Sequence, residues 1–456
     1  MKIGFLPLYI KLYDDIGTKR DAMKVFYDEV TVMFKERGLE VETVDFCRIK
    51  PEFDAAIAGF EKSGVDAIVT WHAAYSPSLE SIEVLTKTDL PIIILDSTPT
   101  LEFGMQQDPS EIGANHGIHG VMDMCSMLKR YGKTYAIAAG HYKESNVIER
   151  VCGLVRAAIA AKKLGTMKVG LVGGAFDGMG DFTVPPAEMK ERFGVTVETI
   201  PPEKLAEERK TVSKEAIEAE MALDKTRYDF CDDVDPEEYD AFMTSCLALR
   251  SYLEKGNYSA FSVNFLNVEG IGTMPFLECC KAMERGLGYA GEGDALTSAF
   301  TGAFLSAYPE TTFCEIFCPD WKNNMVFLSH MGEMNYRIAD GKPYVCRTGS
   351  AFVKGTMPYA GYSKMKGGKG VYVNISRDKD DFQMLLSPCE MLSAGEDNFP
   401  RTMRGWLRPT LASTGEFLEA LSKNGATHHS TFVYGASVEE MEYFAKLLGL
   451  RTVIVG

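Results

Sequence analysis

Over its first 140 residues the chain alternates short apolar runs, at 2–6, 41–45, 66–71, 91–96 and 134–140, with longer amphipathic stretches. Runs that short are buried on both faces most readily as parallel strands, and parallel strands need helical crossovers between them. The pattern predicts a doubly wound α/β domain with helices on both faces of its sheet. Between the first two runs Ala22, Phe26, Val30, Met33 and Phe34 share one helical face, and Gly38 is placed to end that helix in a left-handed turn.

A second cycle starts at 168–173, after a helical stretch from about 144 to 164, and continues through 260–265 and a helix near 277–285. Between its halves, 201–235 is rich in Lys, Glu and Asp and reads as solvated helix or a mobile flap rather than a site. From about 351 the texture changes to Gly, Pro and short β-rich runs such as 370–375, which suits a barrel or sandwich. Ser437 and Glu440 then read as a capping box ahead of Met441, Phe444 and Leu448, and 451–455 as a terminal strand. At 456 residues the chain exceeds one core. The expected fold is α/β, with two Rossmann-like parallel-sheet domains, 1–165 and 166–310, and a C-terminal β-barrel-like domain, 311–456.

Composition removes several classes of function. A net charge of −16 argues against a nucleic-acid partner, because phosphate binding needs concentrated Lys and Arg. No segment offers the roughly 20 uninterrupted apolar residues of a membrane span, and the start lacks the basic flank and apolar core of a signal peptide. The eleven cysteines are scattered and include no Cys-x-x-Cys, as expected of reduced thiols in a cytoplasmic protein.

The residues that could carry chemistry lie late in the chain. Gly291 and Gly293 flank Glu292 ahead of Asp294, a turn that would present a carboxylate at a strand end. Glu315 sits inside the apolar run 312–318, where burial calls for a cation or hydrogen bonds, and His330 closes the run 325–329. Of the seven histidines, His428 and His429 are adjacent, just before another strand-like run. Two carboxylates with imidazoles and no thiolate suit Mn²⁺, Mg²⁺ or Co²⁺ with positions left open, rather than a closed structural zinc. Cys314 and Cys318 flank Glu315 but are read as packing. The Gly-rich stretches 170–180 and 366–370 fit neither the dinucleotide fingerprint nor the P-loop and are read as turns.

The segments Tyr-Ala-Gly-Glu-Gly-Asp at 289–294, Phe-Cys-Glu-Ile-Phe at 313–317, Leu-Ser-His-Met at 328–331 and Ala-Thr-His-His-Ser-Thr-Phe at 426–432 resemble, in order and spacing, the metal-site motifs of the L-arabinose isomerase family. A looser resemblance spans nearly the whole chain and extends to the related L-fucose isomerases. It implies that Glu292, Glu315, His330 and His429 bind the metal, most naturally Mn²⁺, and that His428 contacts substrate. It places His119, His116, Tyr75, Met179 and Phe265 at the sugar pocket, with His116 standing where the family usually has glutamine. Residues 173–181 are also richer in glycine than the family pattern, and the chain ends at Gly456, short of the family's usual tail.

The activity so implied is interconversion of an aldose and a ketose through an enediol, with Glu292 and Glu315 jointly as catalytic base and acid. The resemblance further implies a homo-oligomer, a hexamer, in which the N-terminal domain of a neighbouring subunit completes each pocket. The sugar stays open among arabinose, fucose, rarer sugars and modified ones such as a sulfonated sugar. Two other classes share parts of the pattern: a non-catalytic sugar-binding protein, which needs no metal cluster, and a metal-dependent hydrolase, which binds metal but isomerises nothing.

Overall fold

Why the first 140 residues alternate is plain in the computed structural model, which describes residues 1–15, 20–348 and 357–455. Two sequence readings, the side chain of Ala22 on the predicted helix face and the start of the Gly- and Pro-rich texture at 351–356, lie outside them. The chain forms two compact units, Met1–Ile159 with Glu442–Leu447, and Ala160–Met441 with Leu448–Gly456. In the first, β1 (Lys2–Leu8), β2 (Glu40–Thr43), β3 (Ala67–His72), β4 (Ile92–Asp96) and β5 (Tyr135–Ala139) make a parallel sheet in the order β2-β1-β3-β4-β5. The inner strands β1, β3 and β4 are buried almost throughout, while β2 and β5 at the edges are partly exposed. The helix Arg20–Glu36 lays Phe26, Val30 and Phe34 into the core, and Gly38 takes the predicted left-handed turn at φ 81°.

The strand order reverses direction between β1 and β3, where doubly wound sheets open a crevice at their carboxyl ends. Tyr75 follows β3 at that end, and His116 and His119 stand at the entry of the helix Gly117–Arg130.

The second unit contains a parallel sheet in the order β10-β9-β6-β7, made of β6 (Lys168–Val172), β7 (Thr196–Ile200), β9 (Ala260–Val263) and β10 (Gly288–Gly291). A two-residue strand, β8 (Asp229–Phe230), pairs instead with β13 (Tyr344–Arg347), which pairs with β14 (Tyr359–Tyr362). The β-rich texture near the C-terminus is a closed antiparallel barrel. Its six strands are β11 (Thr311–Asp320), β12 (Met325–Ser329), β15 (Gly368–Asp378), β16 (Asp381–Met391), β17 (Gly405–Pro409) and β18 (His429–Tyr434). They run in the order β15-β18-β11-β12-β17-β16, closed by β15 against β16, and β19 (Arg451–Ile454) lies parallel to β16 outside the ring. Closure removes the edges along which an open sheet invites a further strand.

The helix Ala295–Leu305 is mostly apolar, with Thr297, Ser298 and Thr301 its polar side chains, and every residue of it is buried. It leaves directly from the turn after β10, so the parallel sheet and the barrel share one core. Segment 201–235 is helical, at Pro202–Thr211 and Lys214–Arg227, but it is not wholly solvated. Glu220 and Asp224 turn inward onto Lys281, and Arg250 joins Glu220 to the buried Glu278. A charge-rich helix can bury one charged row when the facing helix carries the opposite sign. Ser437 Oγ accepts the Glu440 amide as predicted, while the Glu440 carboxylate takes the hydroxyl proton.

Candidate metal centre

Three neighbouring barrel strands bring the first three donors to one end. Glu315 on β11 lies in register with Ser329 on β12 and with His429 on β18, and His330 is the next residue after Ser329. Side chains at matched register on one face of a sheet are near neighbours, so strand pairing sets Glu315 beside His429, and His330 joins them from just past the end of β12. Glu292 arrives from the other sheet, past the end of β10. Its backbone is left-handed at φ 64° and that of Gly293 at φ 85°. A non-glycine residue there costs on the order of 1–3 kcal/mol and is kept where its surroundings fix it. Here the Glu292 amide donates to Val263 O at 3.1 Å, its carbonyl accepts from Phe176 at 2.8 Å, and the Gly293 amide donates to Ser262 Oγ at 2.8 Å.

Both glycines of that turn are needed for space. A Cβ on Gly291 would stand 2.8 Å from the His330 ring, and one on Gly293 would stand 2.3 Å from the carbonyl oxygen of Gly174. The turn is shaped so that an imidazole and a backbone can close on either side of one carboxylate.

The donor atoms converge. His429 Nε2 is 3.6 Å from Glu292 Oε2 and 3.6 Å from Glu315 Oε1, and His330 Nε2 is 3.9 Å from Glu315 Oε2. His428 Nε2 stands 3.6 Å from Glu292 Oε2 and 3.3 Å from Glu315 Oε1. Most of these gaps are long for hydrogen bonds, and their spacing matches ligand atoms about a cation in two groups that share His429: Glu292 with His428 and His429, and Glu315 with His330 and His429. Among the described residues, Glu292 Oε2 and His429 Nε2 are buried without a hydrogen-bond partner. Leaving two such atoms bare is costly, and a cation between them removes the cost. The residues fit a divalent ion.

Behind each imidazole stands a carboxylate that sequence reading did not single out. Glu333 Oε2 lies 2.7 Å from His330 Nδ1 and is itself held by the Gly332 amide, with the Tyr289 hydroxyl on its other oxygen. Asp294 Oδ2 lies 3.0 Å from His429 Nδ1, while its Oδ1 caps the helix Ala295–Leu305 by accepting from Thr297 N. Asp181 Oδ2 takes the His428 amide at 2.9 Å and faces His428 Nδ1 at 2.7 Å. Carboxylates so placed fix the ring and leave Nε2 for a metal or a substrate. Phe182, next to Asp181, stacks on His429 at 4.8 Å and 15°. The spacing His330-x-x-Glu333 and the N-cap position of Asp294 offered a local signal for two of these partners, whereas Asp181 is 247 residues from His428 and offered none.

The charges reinforce one another. Burial alone would raise the Glu292 carboxyl, yet the facing His428 and His429 rings and the His330 charge hold it at about 2. The Glu292 carboxylate, working against burial and aided by Asp181, lifts His428 to about 9. Burial would lower His429, but Asp294 and Glu292 bring it to about 9 as well. His330 is buried, which would lower it, but Glu333 and Glu315 push it up. The cluster is built to hold positive charge, as protons or as a cation.

The other candidates fall into two places. Met179 and Phe265 belong to this unit, in the loops after β6 and β9, and Phe265 packs on Phe176 at 5.5 Å. Tyr75, His116 and His119 belong to the first unit: the rings of His116 and His119 meet at 4.2 Å, Tyr13 Oη lies 3.4 Å from His116 Nδ1, and Tyr75 Oη reaches Asp123 at 3.5 Å.

Comparison with known proteins adds the lineage. The L-arabinose isomerase central-domain family model matches residues 184–306, and the L-arabinose isomerase C-terminal-domain model matches residues 310–451. The chain is 24% identical over 400 residues to an L-arabinose isomerase of Shouchella clausii, covering 85% of this chain and 81% of that one. It is 25% identical over 414 residues to that of Saccharophagus degradans, with 85% and 80% covered. With the L-arabinose isomerase of Levilactobacillus brevis the match reaches 444 residues at 24% identity, 93% of this chain and 90% of that one. Among solved structures, a periplasmic solute-binding protein of Actinobacillus succinogenes with bound D-allose matches 65% of this chain and 79% of its own at 12% identity, with a TM-score of only 0.17.

Proposed function

The chain belongs to the L-arabinose isomerase family, and from that premise we propose that it is a divalent-metal-dependent isomerase that interconverts an unphosphorylated aldose and its ketose through an enediol. The observation that carries the metal is a pair of buried donor atoms, Glu292 Oε2 and His429 Nε2, 3.6 Å apart and without a hydrogen bond among the described residues. Glu292, Glu315, His330 and His429 would hold the ion, with Mn²⁺ first in order for an oxygen and imidazole set and Mg²⁺ or Co²⁺ as substitutes. A non-catalytic sugar-binding protein has no use for such a cluster.

When bound, the ion would polarise the sugar carbonyl as a Lewis acid and orient neighbouring hydroxyls. The protein's own groups do the rest. The rings facing Glu292 keep its carboxylate ionised against the pull of burial. One of Glu292 and Glu315 takes the proton from the carbon beside the carbonyl and the pair returns it to the former carbonyl carbon, while the hydroxyl proton of the first carbon passes to the former carbonyl oxygen; the two act jointly. His428 Nε2 faces both carboxylates from the half-exposed side and is placed to bond a substrate hydroxyl. Phe182, buried on the His429 ring, keeps water from that flank.

His119, His116, Tyr75, Met179 and Phe265 complete the proposed sugar pocket, the first three acting on the metal of a neighbouring copy in a homo-oligomer, a hexamer by family likeness. The segment that carries His116 and His119 also exposes Leu101, Phe103, Met105, Ile112 and Met122, with Met105 fully exposed, which supports a covering partner. All eleven cysteines are free, in keeping with a reducing cytoplasm, and among the described residues no helix is long and apolar enough to cross a membrane.

The test is to strip the protein with a chelator, restore Mn²⁺, and assay ketose formation from L-arabinose, L-fucose and other free aldoses. Metal-dependent ketose from at least one of them is expected. Conversion that survives full chelation would overturn the reading.

A further inference from the structure

The three imidazoles of the centre are backed alike but not equally. His330 with Glu333 and His429 with Asp294 are sealed in, each side chain at most 3% exposed. The pair His428 and Asp181 has the same geometry at the surface, with side chains 39% and 38% exposed. Asp181 also ends a segment unlike the barrel strands that fix the other rings. Gly173, Gly174 and Gly178 in it adopt φ of 80°, 74° and 91°. The segment is pinned to the strand ends at three points: Asn267 Nδ2 donates to Gly173 O at 3.1 Å, Asn264 Nδ2 to Ala175 O at 3.2 Å, and Phe176 N to Glu292 O at 2.8 Å. Its far end then delivers Asp181 to His428 and Phe182 to His429.

We propose that Asp181 is a positioning residue, which fixes His428 by gripping its backbone and its ring with one carboxylate oxygen, so that Nε2 points into the donor cluster. The proposal rests on the isomerase reading of the centre and concerns the substrate-side imidazole rather than the metal ligands. His428 precedes β18 and therefore lacks the strand pairing that fixes His429. Its amide donates to the same Oδ2 that faces its Nδ1, so one contact sets both the ϕ,ψ and the side-chain rotamer of the residue. Without that oxygen the half-exposed ring is free to turn toward solvent, and Nε2 leaves its place 3.3 Å from Glu315 and 3.6 Å from Glu292. Misplacement of a substrate-orienting group by about 1 Å costs on the order of 10²-fold in rate. The ligand carboxylates and imidazoles keep their own supports, so the ion should stay.

Two measurements on the Mn²⁺-loaded full chain test this, one of them independent of turnover. In the first, carbethoxylation of His428 by diethyl pyrocarbonate is followed by peptide mass spectrometry, normalised to N-acetylhistidine in the same tube. Asp181→Ala should speed it at least fivefold while Mn²⁺ affinity stays within threefold. An unchanged labelling rate overturns the proposal, and so does a tenfold loss of Mn²⁺ affinity, which would place Asp181 in the metal's own support. In the second, kinetics with L-arabinose should show Asp181→Ala and His428→Ala each lowering kcat/KM by roughly 10–100-fold, with the double variant no worse than either. Asp181→Asn, which keeps an acceptor oxygen, should recover most of the loss. Losses that simply add, or an Asn variant as poor as Ala, overturn it. If the wild type does not convert L-arabinose, that choice of substrate fails on its own, and the labelling decides the role of Asp181.

Discussion

In Ala160–Met441 the imidazoles His330 and His429 are buried and backed by carboxylates, whereas His116 and His119 in Met1–Ile159 are half-buried and exposed, and lean on each other at 4.2 Å. Glu333 and Asp294 fix the first pair in orientation and lift their affinity for positive charge. Burial and the neighbouring His119 lower His116 instead, so it is neutral at physiological pH. The first construction is finished inside one chain, each ring held by a carboxylate of the same unit. The second has polar rings amid exposed apolar side chains and resembles half of a contact. The two histidine pairs therefore differ in their surroundings, carboxylates behind buried rings in one and a neighbouring imidazole in the other.

The largest effect that would break this contrast is expected at the ligand carboxylates. Glu292→Gln and Glu315→Gln should each cut ketose formation by on the order of 10²–10⁴-fold while the thermal transition is retained. An active double Gln variant would remove both the mechanism and the distinction between the regions.

Next in size is the response to acid, where the two regions differ in sign. His72, buried at the end of β3 with neither ring nitrogen bonded, is pushed down to about 3 by burial, against a weak pull from Asp123. A lowered histidine contributes stability above its unfolded value near 6.5 that is lost as pH falls toward 3, up to several kcal/mol. In the metal-free protein His428 and His429, at about 9, act oppositely: their contribution is present below about 6.5 and is lost as pH rises through 9. Hydrogen exchange at pH 4–5 should thus open Met1–Ile159 before the barrel, and His72→Gln should narrow the gap. Simultaneous opening of both would show that His72 does not set the acid limit.

What the sequence revealed follows the range of the forces involved. Parallel strands buried on both faces read as apolar runs, so β1, β3 and β4 were legible within two residues, and Gly38 was legible because few residues turn left-handed cheaply. The candidates Glu292, Glu315, His330 and His429 were legible as motifs in order; register explains why Glu315 meets His429, while Glu292 and His330 come from the ends of β10 and β12. Asp181 and Phe182 were invisible, because only the folded chain brings a Gly-rich turn to a histidine 247 residues away. Segment 201–235 is largely exposed helix as its charge suggested, but composition could not show the opposing row at Arg250 and Lys281 that draws Glu220 and Asp224 inward.

Smaller effects should come from the rear carboxylates. Glu333→Gln and Asp294→Asn are expected to weaken Mn²⁺ binding by roughly 10–100-fold in calorimetric titration, because the rings keep their place but lose charge support. Asp294→Ala should in addition lose the helix cap, about 1 kcal/mol of stability. Equal affinity in all three would mean that the metal centre, like the exposed pair, does without support from behind.

The smallest expected effect lies with the exposed pair. His119→Ala should leave Mn²⁺ affinity unchanged and lower kcat/KM about tenfold, the size of one lost substrate contact. Its value is in complementation. If His119 serves the metal of a neighbouring copy, a mixed oligomer of His119→Ala and Glu292→Gln chains contains some sites with both groups intact, and activity should return above that of either parent. Met105→Asp with Met122→Asp, placed on the exposed apolar segment, should lower the oligomer mass in light scattering and remove that recovery together. Recovery absent from a verified mixed oligomer would leave His119 without a role in the neighbour's chemistry, and the two histidine regions would then be unrelated in function as well as in construction.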